Sequence, residues 1–403
     1  MKFNTLISLT ALTLIANAGC NNGINLPQKL IGNATFSSFS QDGNGFGKVF
    51  MKSPSFDSPS PNAYTIGLNR VTSRYTVSPI GTLNFDSKLV NVTISGTRNG
   101  LLRNGDISIL SDVINSAGDL VPGGNVAKPN VYGNWLFSSV SDPDHQLGQL
   151  MAYYWLNHEK DVANNALPNS WNASGKNISV YSRCYDANGV FSSSTGAGLN
   201  AFWESTNELV CMSYVEGFEA AYDASVYAHE MGHANIDFGT KKQIATGAYS
   251  IVCPGNNTAD CCPSADGCAG AINEGQADVH SFIVFNSPII GEYFTNKTTG
   301  LTERDAEINS SLTAQAQFTK SAEIHDMGAV WNASWWTLRN SLGADIADKL
   351  FFAHLNLLTG NDTFKTALNQ IIVTDAQLVT NKVFTTDHRT QILAAFAIHG
   401  ITP

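Results

Sequence analysis

The chain has 403 residues, of which 43% are hydrophobic and 10% aromatic, apolar material enough for a large core and about two or three structural units. Its formal charge is −10 and its sequence pI about 5.3, with lysines and arginines scattered. No basic stripe is left to hold nucleic acid or an anionic membrane surface.

Met1-Lys2, the apolar run from Leu6 to Ala16 and the small residues that follow read as an export signal over 1–19, too short to span a bilayer. Two processing readings stand side by side. Ala16-Asn17-Ala18 fits ordinary cleavage after Ala18, and Ala18-Gly19-Cys20 resembles the bacterial lipoprotein signal, in which Cys20 carries the lipid, although Asn17 replaces the usual aliphatic residue. Either way the expected location is extracytoplasmic: a lipoprotein at the outer membrane or periplasm, or a secreted chain. Of seven cysteines, six remain without Cys20, and an even number in an exported chain predicts disulfides, taken as Cys184 with Cys211 and two bridges among Cys253, Cys261, Cys262 and Cys268.

Residues 20–45, rich in Asn, Gly and Ser, read as a flexible tether. From about 46 to 135, short β-branched runs such as Leu89–Ser95 and Ile107–Leu110 alternate with Gly, Asn, Asp and Pro turns, a β-rich pattern. Leu147, Leu150, Met151, Tyr154 and Trp155 then recur at helical spacing and predict a core helix. Ile178–Tyr181 and Leu209–Tyr214 read as strands of one sheet, and the turn-flanked segment Gly196–Trp203 between them as an edge strand facing a cleft.

A helix from Ala220 to about Asp237 carries His229-Glu230-Met231-Gly232-His233. Histidines four apart share one helix face and can each give an imidazole nitrogen to a zinc ion. Glu230 lies beside that ion without ligating it, where a general base would hold a metal-bound water. A third ligand is then required. Beyond a Gly-rich, cysteine-bearing loop over 240–270, a second helix presents Glu274, 41 residues past His233, with Asp278 one turn later on the same face. Alone these acids would read as a solvated face; with the upstream motif they read as ligand and as hydrogen-bond partner of His229. A ligand six residues after His233 would fall on Gly239, which excludes the three-histidine pattern, and no Gly-x-Met-Glu-Asn-like aminopeptidase strand is present. The remainder is helical in period, over Ile324–Leu342, Ile346–Leu358, Thr363–Ile372 and Arg389–Ile398, punctuated by Gly343, Gly360 and Gly400.

Taken together, Asn200-Ala-Phe-Trp203, Ala228-His-Glu-Met-Gly-His-Ala234 with Asp237, Gly270-Ala-Ile-Asn-Glu-x-x-x-Asp278 and His325 within Glu323–Trp331 resemble the thermolysin-like or fungalysin-like zinc metalloendopeptidases, in family order from about 145 to the end. The resemblance implies an α+β, two-lobed fold: 46–238 as a β-rich lobe ending in the zinc-binding helix, and 239–403 as a helical lobe with the cleft between. It implies His229, His233 and Glu274 as zinc ligands, Glu230 as general base, Asp278 as the residue orienting His229, and His325 as the group stabilising the oxyanion. It further implies that Asn200 and Ala201 bind a peptide substrate by strand addition. Calcium is left open, since no clustered acidic site is evident, and the protein is expected to be a monomer. The loop between His233 and Glu274 departs from the family in being longer and in holding four cysteines. Two other functions share the same residues: a catalytically silent, surface-anchored zinc-binding protein, and a zinc hydrolase of cell-wall peptides.

Overall fold

In the computed structural model, the described residues are 43–52, 90–97, 106–110, 127–129, 135–137, 146–184, 201–215, 218–240, 261–293 and 304–403. The leader, Cys20, Cys253, Asn200 and most of the 240–270 loop therefore lie outside them. The fold is mixed α+β.

Strand β1 (Gly43–Val49) pairs antiparallel with β2 (Val90–Thr97), so regular structure begins inside the stretch read as tether. A second sheet takes β3 (Ile107–Leu110), β4 (Ile178–Cys184), β5 (Ala201–Glu204), β6 (Leu209–Val215) and the short β7 (Phe218–Glu219). Its order is β3-β4-β6-β5 with β7 on β6; β3, β4 and β6 run parallel, and β5 returns antiparallel at the edge. The parallel pairing of β3 with β4 needs a long crossover. Helix α1 (Gln146–Ala166) lies in that connection and buries Leu147, Leu150, Met151 and Trp155. The Trp155 indole donates to the Phe50 carbonyl at 2.9 Å, tying α1 to the segment after β1.

Helix α2 (Ala224–Gly239) starts at Asp223, whose carboxylate accepts from the Ser225 amide and so satisfies an orphan donor of the first turn. Helix α3 (Ala269–Phe285) is buried along its whole length. After it come the paired strands β8 (Ile289–Ile290) and β9 (Arg304–Asp305) and the helices α4 (Ala314–Lys320), α5 (Ile324–Leu342), α6 (Ala344–His354), α7 (Phe364–Thr380) and α8 (Arg389–Ile398). Helix α7 runs eight residues past the Ile372 end read from its periodicity. No helix among the described residues is long and apolar enough to cross a membrane.

The site is set by how closely α2, α3 and α5 approach one another. A Cβ on Gly232 of α2 would stand 2.8 Å from the Ala277 Cα of α3, and one on Gly275 of α3 would stand 2.7 Å from the Gly328 carbonyl of α5. Those distances are below carbon contact, so any larger residue would push the helices apart. His280 adds a polar tie, its Nδ1–H donating to the Ala228 carbonyl at 2.8 Å.

The cysteine-bearing loop ends in a disulfide, Cys262–Cys268, directly before α3. Cys211 and Cys261 are also disulfide-bonded, while the side chain of Cys184 lies outside the described residues. The Cys262 amide donates to the Ala322 carbonyl at 2.8 Å, and Cys261 forms an antiparallel bridge with Glu323. The start of α3 is thereby joined to the start of α5.

His354, at the end of α6, is a core residue. It is fully buried, its Nδ1 accepts from Gln276 Nε2 at 3.1 Å, and burial pulls its pKa down to about 3. An unfolded histidine titrates near ~6.5. Because the folded pKa lies below the unfolded one, this group's penalty is nil above that pH and grows as pH falls from it toward about 3. The expected cost is about 1.4 kcal/mol per pH unit. Urea unfolding between pH 6.5 and 4.5 should show a shallower acid loss of stability in His354→Gln than in the wild type; equal slopes would contradict this assignment.

Candidate metal centre

His229 and His233 project from α2 toward α3, and both are buried. Each ring has its outer nitrogen facing a polar side chain of α3. His229 Nδ1 lies 2.8 Å from Asp278 Oδ1, and His233 Nδ1 lies 3.1 Å from the amide oxygen of Asn273. Asp278 and Asn273 turn both Nδ1 atoms outward, so both Nε2 atoms face one point. Those two Nε2 atoms are 3.0 Å apart. Burial opposes charge on His229, but Asp278 and Glu274 carry its pKa up to about 9, so without a metal its Nε2–H donates to His233 Nε2, a proton that a cation can replace.

Glu274 closes the group from α3. Its Oε2 is 3.4 Å from His229 Nε2 and its Oε1 is 3.7 Å from His233 Nε2. The residue is 1% exposed, and neither oxygen accepts an aligned hydrogen bond. A buried carboxylate left in that state is costly. For a tetrahedral ion with ligand bonds of roughly 2.1 Å, neighbouring ligand atoms stand roughly 3.4 Å apart. The three observed separations bracket that value, so the donor set and its spacing fit a metal ion held by His229, His233 and Glu274.

The surroundings hold these ligands in place. Asp278 Oδ1 accepts from Arg304 Nη1 at 2.8 Å, and its Oδ2 accepts from Asn332 Nδ2 at 2.7 Å, which leaves the carboxylate fixed against His229. Arg304 Nη1 also comes within 3.8 Å of Glu274 Oε2. Burial penalises the charge on Asp278, yet Arg304 and His229 keep its pKa below the ordinary value. The Glu274 carboxyl behaves likewise: burial works against its charge, and His325, His233 and His229 hold it well below the usual carboxylate range.

Glu230 follows His229 on α2 and is 5% exposed. Burial pushes its carboxyl up, partly offset by His229, to about 7. His325 enters from the first turn of α5 with its Nε2 3.2 Å from Glu274 Oε2. Glu323 fixes the ring from the other side. It caps α5 by accepting from the His325 and Asp326 amides through Oε2, and its Oε1 accepts from the His325 Nδ1–H at 2.7 Å. Burial opposes charge on His325, but Glu274 and Glu323 carry its pKa up to about 10.

Of the residues singled out from sequence, the structure gathers His229, Glu230, His233, Glu274, Asp278 and His325. Ala201 stands on β5, which packs along α2. Asn273, Arg304, Glu323 and Asn332 were given no role from sequence. Asn273 and Glu323 sit beside motif residues, so their neighbours offered a signal; Arg304 and Asn332 reach Asp278 only through the fold.

No protein-family model and no curated protein matches the sequence. Among solved structures, the precursor of protealysin, a metalloproteinase from Serratia proteamaculans, aligns with 14% identity and a TM-score of 0.43 over 68% of this chain and 84% of that one. So distant a likeness leaves the chemistry to be read from the side chains themselves.

Proposed function

We propose that the chain is an exported, zinc-dependent endopeptidase with a β-rich lobe ending in α2 and a helical lobe supplying Glu274 and His325. The observation that carries this reading is the convergence of two imidazoles and a carboxylate on one buried point, with Glu230 and His325 beside it. Two histidines and a glutamate are a donor set suited to zinc, which when bound supplies Lewis acidity toward a carbonyl and toward water. The remaining steps belong to the protein's own groups. Glu230 takes a proton from the attacking water and returns it to the departing amine. His325, whose ring Glu323 fixes through Nδ1, donates from Nε2 to the oxyanion of the tetrahedral intermediate. Asp278 maintains the His229 tautomer. Asn200 and Ala201 hold the peptide backbone, an assignment supported by the edge position of β5. Export is supported by the leader read at 1–19 and by the disulfides.

The purified protein, incubated with peptide libraries and read by mass spectrometry, is expected to cut internal peptide bonds. A zinc chelator should stop cleavage and added zinc restore it. One bound zinc without chelator-sensitive cleavage of any protein or peptide would sink the reading in favour of a silent zinc protein. Cleavage confined to cell-wall peptides would redirect it to that substrate class.

A further inference from the structure

The loop from Cys261 to Cys268 precedes α3 and is fastened to three helices. The Cys262–Cys268 disulfide closes it, and the Cys268 carbonyl accepts from the Ile272 amide at 3.0 Å as α3 begins. On one side Cys261 forms the antiparallel bridge with Glu323 and the Cys262 amide donates to the Ala322 carbonyl, so two consecutive loop residues grip the backbone just before α5. Cys261, Ala322 and Phe318 of α4 pack together at that junction. On the other side the Asp266 carbonyl accepts from the Phe364 amide at 2.7 Å, at the start of α7, and Gly267, with a φ of +70°, lies against the Phe364 ring. A Cβ there would stand 2.6 Å from a ring carbon, so no larger residue fits. The Phe364 ring stacks in turn on Trp331 of α5, with centroids 5.4 Å apart and planes 12° apart.

We propose that this disulfide-closed loop is a positioning device for His325, acting through Glu323. The Glu323 side chain caps α5 and accepts from His325 Nδ1–H, and the Glu323 backbone is the one that the loop bridges. As the N-cap of α5, Glu323 is held by the helix on its carbonyl side alone, where it accepts from the Met327 amide. The disulfide closes a short loop, so Cys262 cannot leave Ala322 without moving the start of α3, a helix buried along its whole length. This deepens the endopeptidase reading and rests on it. A His325 ring free to swing would meet the oxyanion less often, so the loss falls on kcat rather than on KM. The helices that carry the three ligands are held together by glycine contacts elsewhere, so zinc binding should not depend on the disulfide.

Opening the loop tests this in the whole, zinc-loaded chain. Cys262→Ala/Cys268→Ala removes both thiols of the pair and keeps the separate disulfide of Cys261. Amide hydrogen exchange at His325 and Asp326, whose N–H groups Glu323 holds, should quicken roughly tenfold, while exchange in α2 stays at the wild-type rate. Zinc should remain bound at wild-type content, and kcat should fall roughly tenfold with KM little changed. Opening the loop in a His325→Ala background should cost nothing further, because the group it serves is gone. Gly267→Ala keeps the disulfide and drives a methyl group into the Phe364 ring; it should show the same faster exchange and the same non-additivity, and it decides the outcome if the double variant does not fold. Wild-type exchange at His325 and Asp326 in the opened variant, or in Gly267→Ala where that variant does not fold, overturns the tether. Faster exchange with unchanged kcat, a kcat loss that persists in the His325→Ala background, or lost zinc overturns its role in positioning His325. Should the wild-type protein, zinc-loaded, cut nothing, the peptidase reading falls, and the exchange rates still decide whether the loop holds Glu323.

Discussion

Glu230→Gln is expected to reduce peptide hydrolysis by roughly 10²- to 10⁴-fold, the range a positioned general base contributes, while zinc stays bound at one per chain. Glutamine matches glutamate in shape, so the helix and the three ligands should stay where they are. What it lacks is the ability to take a proton. The carboxyl it replaces is 5% exposed, and in the metal-free site burial pushes its pKa up. Metal content by elemental analysis and single-turnover cleavage of a library-derived peptide test both halves. Retained activity would remove Glu230 from the mechanism; lost zinc would mean that it serves the metal site.

Glu274→Ala should abolish metal binding itself. Two histidines on one helix make a weak chelate, and the third donor is the only one delivered from a different element, so its loss opens the site on the α3 side. For the wild type, zinc at about 1,000 times its Kd should stabilise the fold by ~4 kcal/mol through linkage. In Glu274→Ala that increment should vanish, and cleavage with it. Thermal melts with and without zinc distinguish this from simple damage: a variant that melts like the metal-free wild type and ignores zinc has lost the site and kept the fold. A zinc-dependent shift of wild-type size would show that Glu274 is not a ligand. The same melts on Glu230→Gln should retain the shift, which separates the base from the ligand.

The helices of the second half were legible because burial on one face imprints a period on the sequence, and Arg389–Ile398 and Ile324–Leu342 match their predicted spans residue for residue. Other boundaries were less so. Helix α7 outlasted its apolar pattern because its C-terminal turns still bury Thr374, Asp375 and Leu378, with Asp375 accepting from the His388 amide. Polar residues used in this way leave no hydrophobic signal. Likewise Gly232, Gly275 and Gly328 look like weak points of helices when read singly. They become intelligible only when the facing backbones are seen to need the missing side chains.

The histidine pair, the adjacent glutamate and the Glu274–Asp278 couple were set by sequence alone, because helical geometry puts residues four apart on one face whatever the rest of the chain does. No local rule could say that the two helices meet, since 40 residues with their own cysteines separate His233 from Glu274. Tertiary structure decided that meeting through glycine-lined contacts between α2, α3 and α5. It also brought Arg304 and Asn332 to Asp278, Glu323 to the His325 ring and Trp203 to Asp237. Each of these contacts depends on distances between elements that the sequence keeps far apart, and only packing brings them within hydrogen-bond reach.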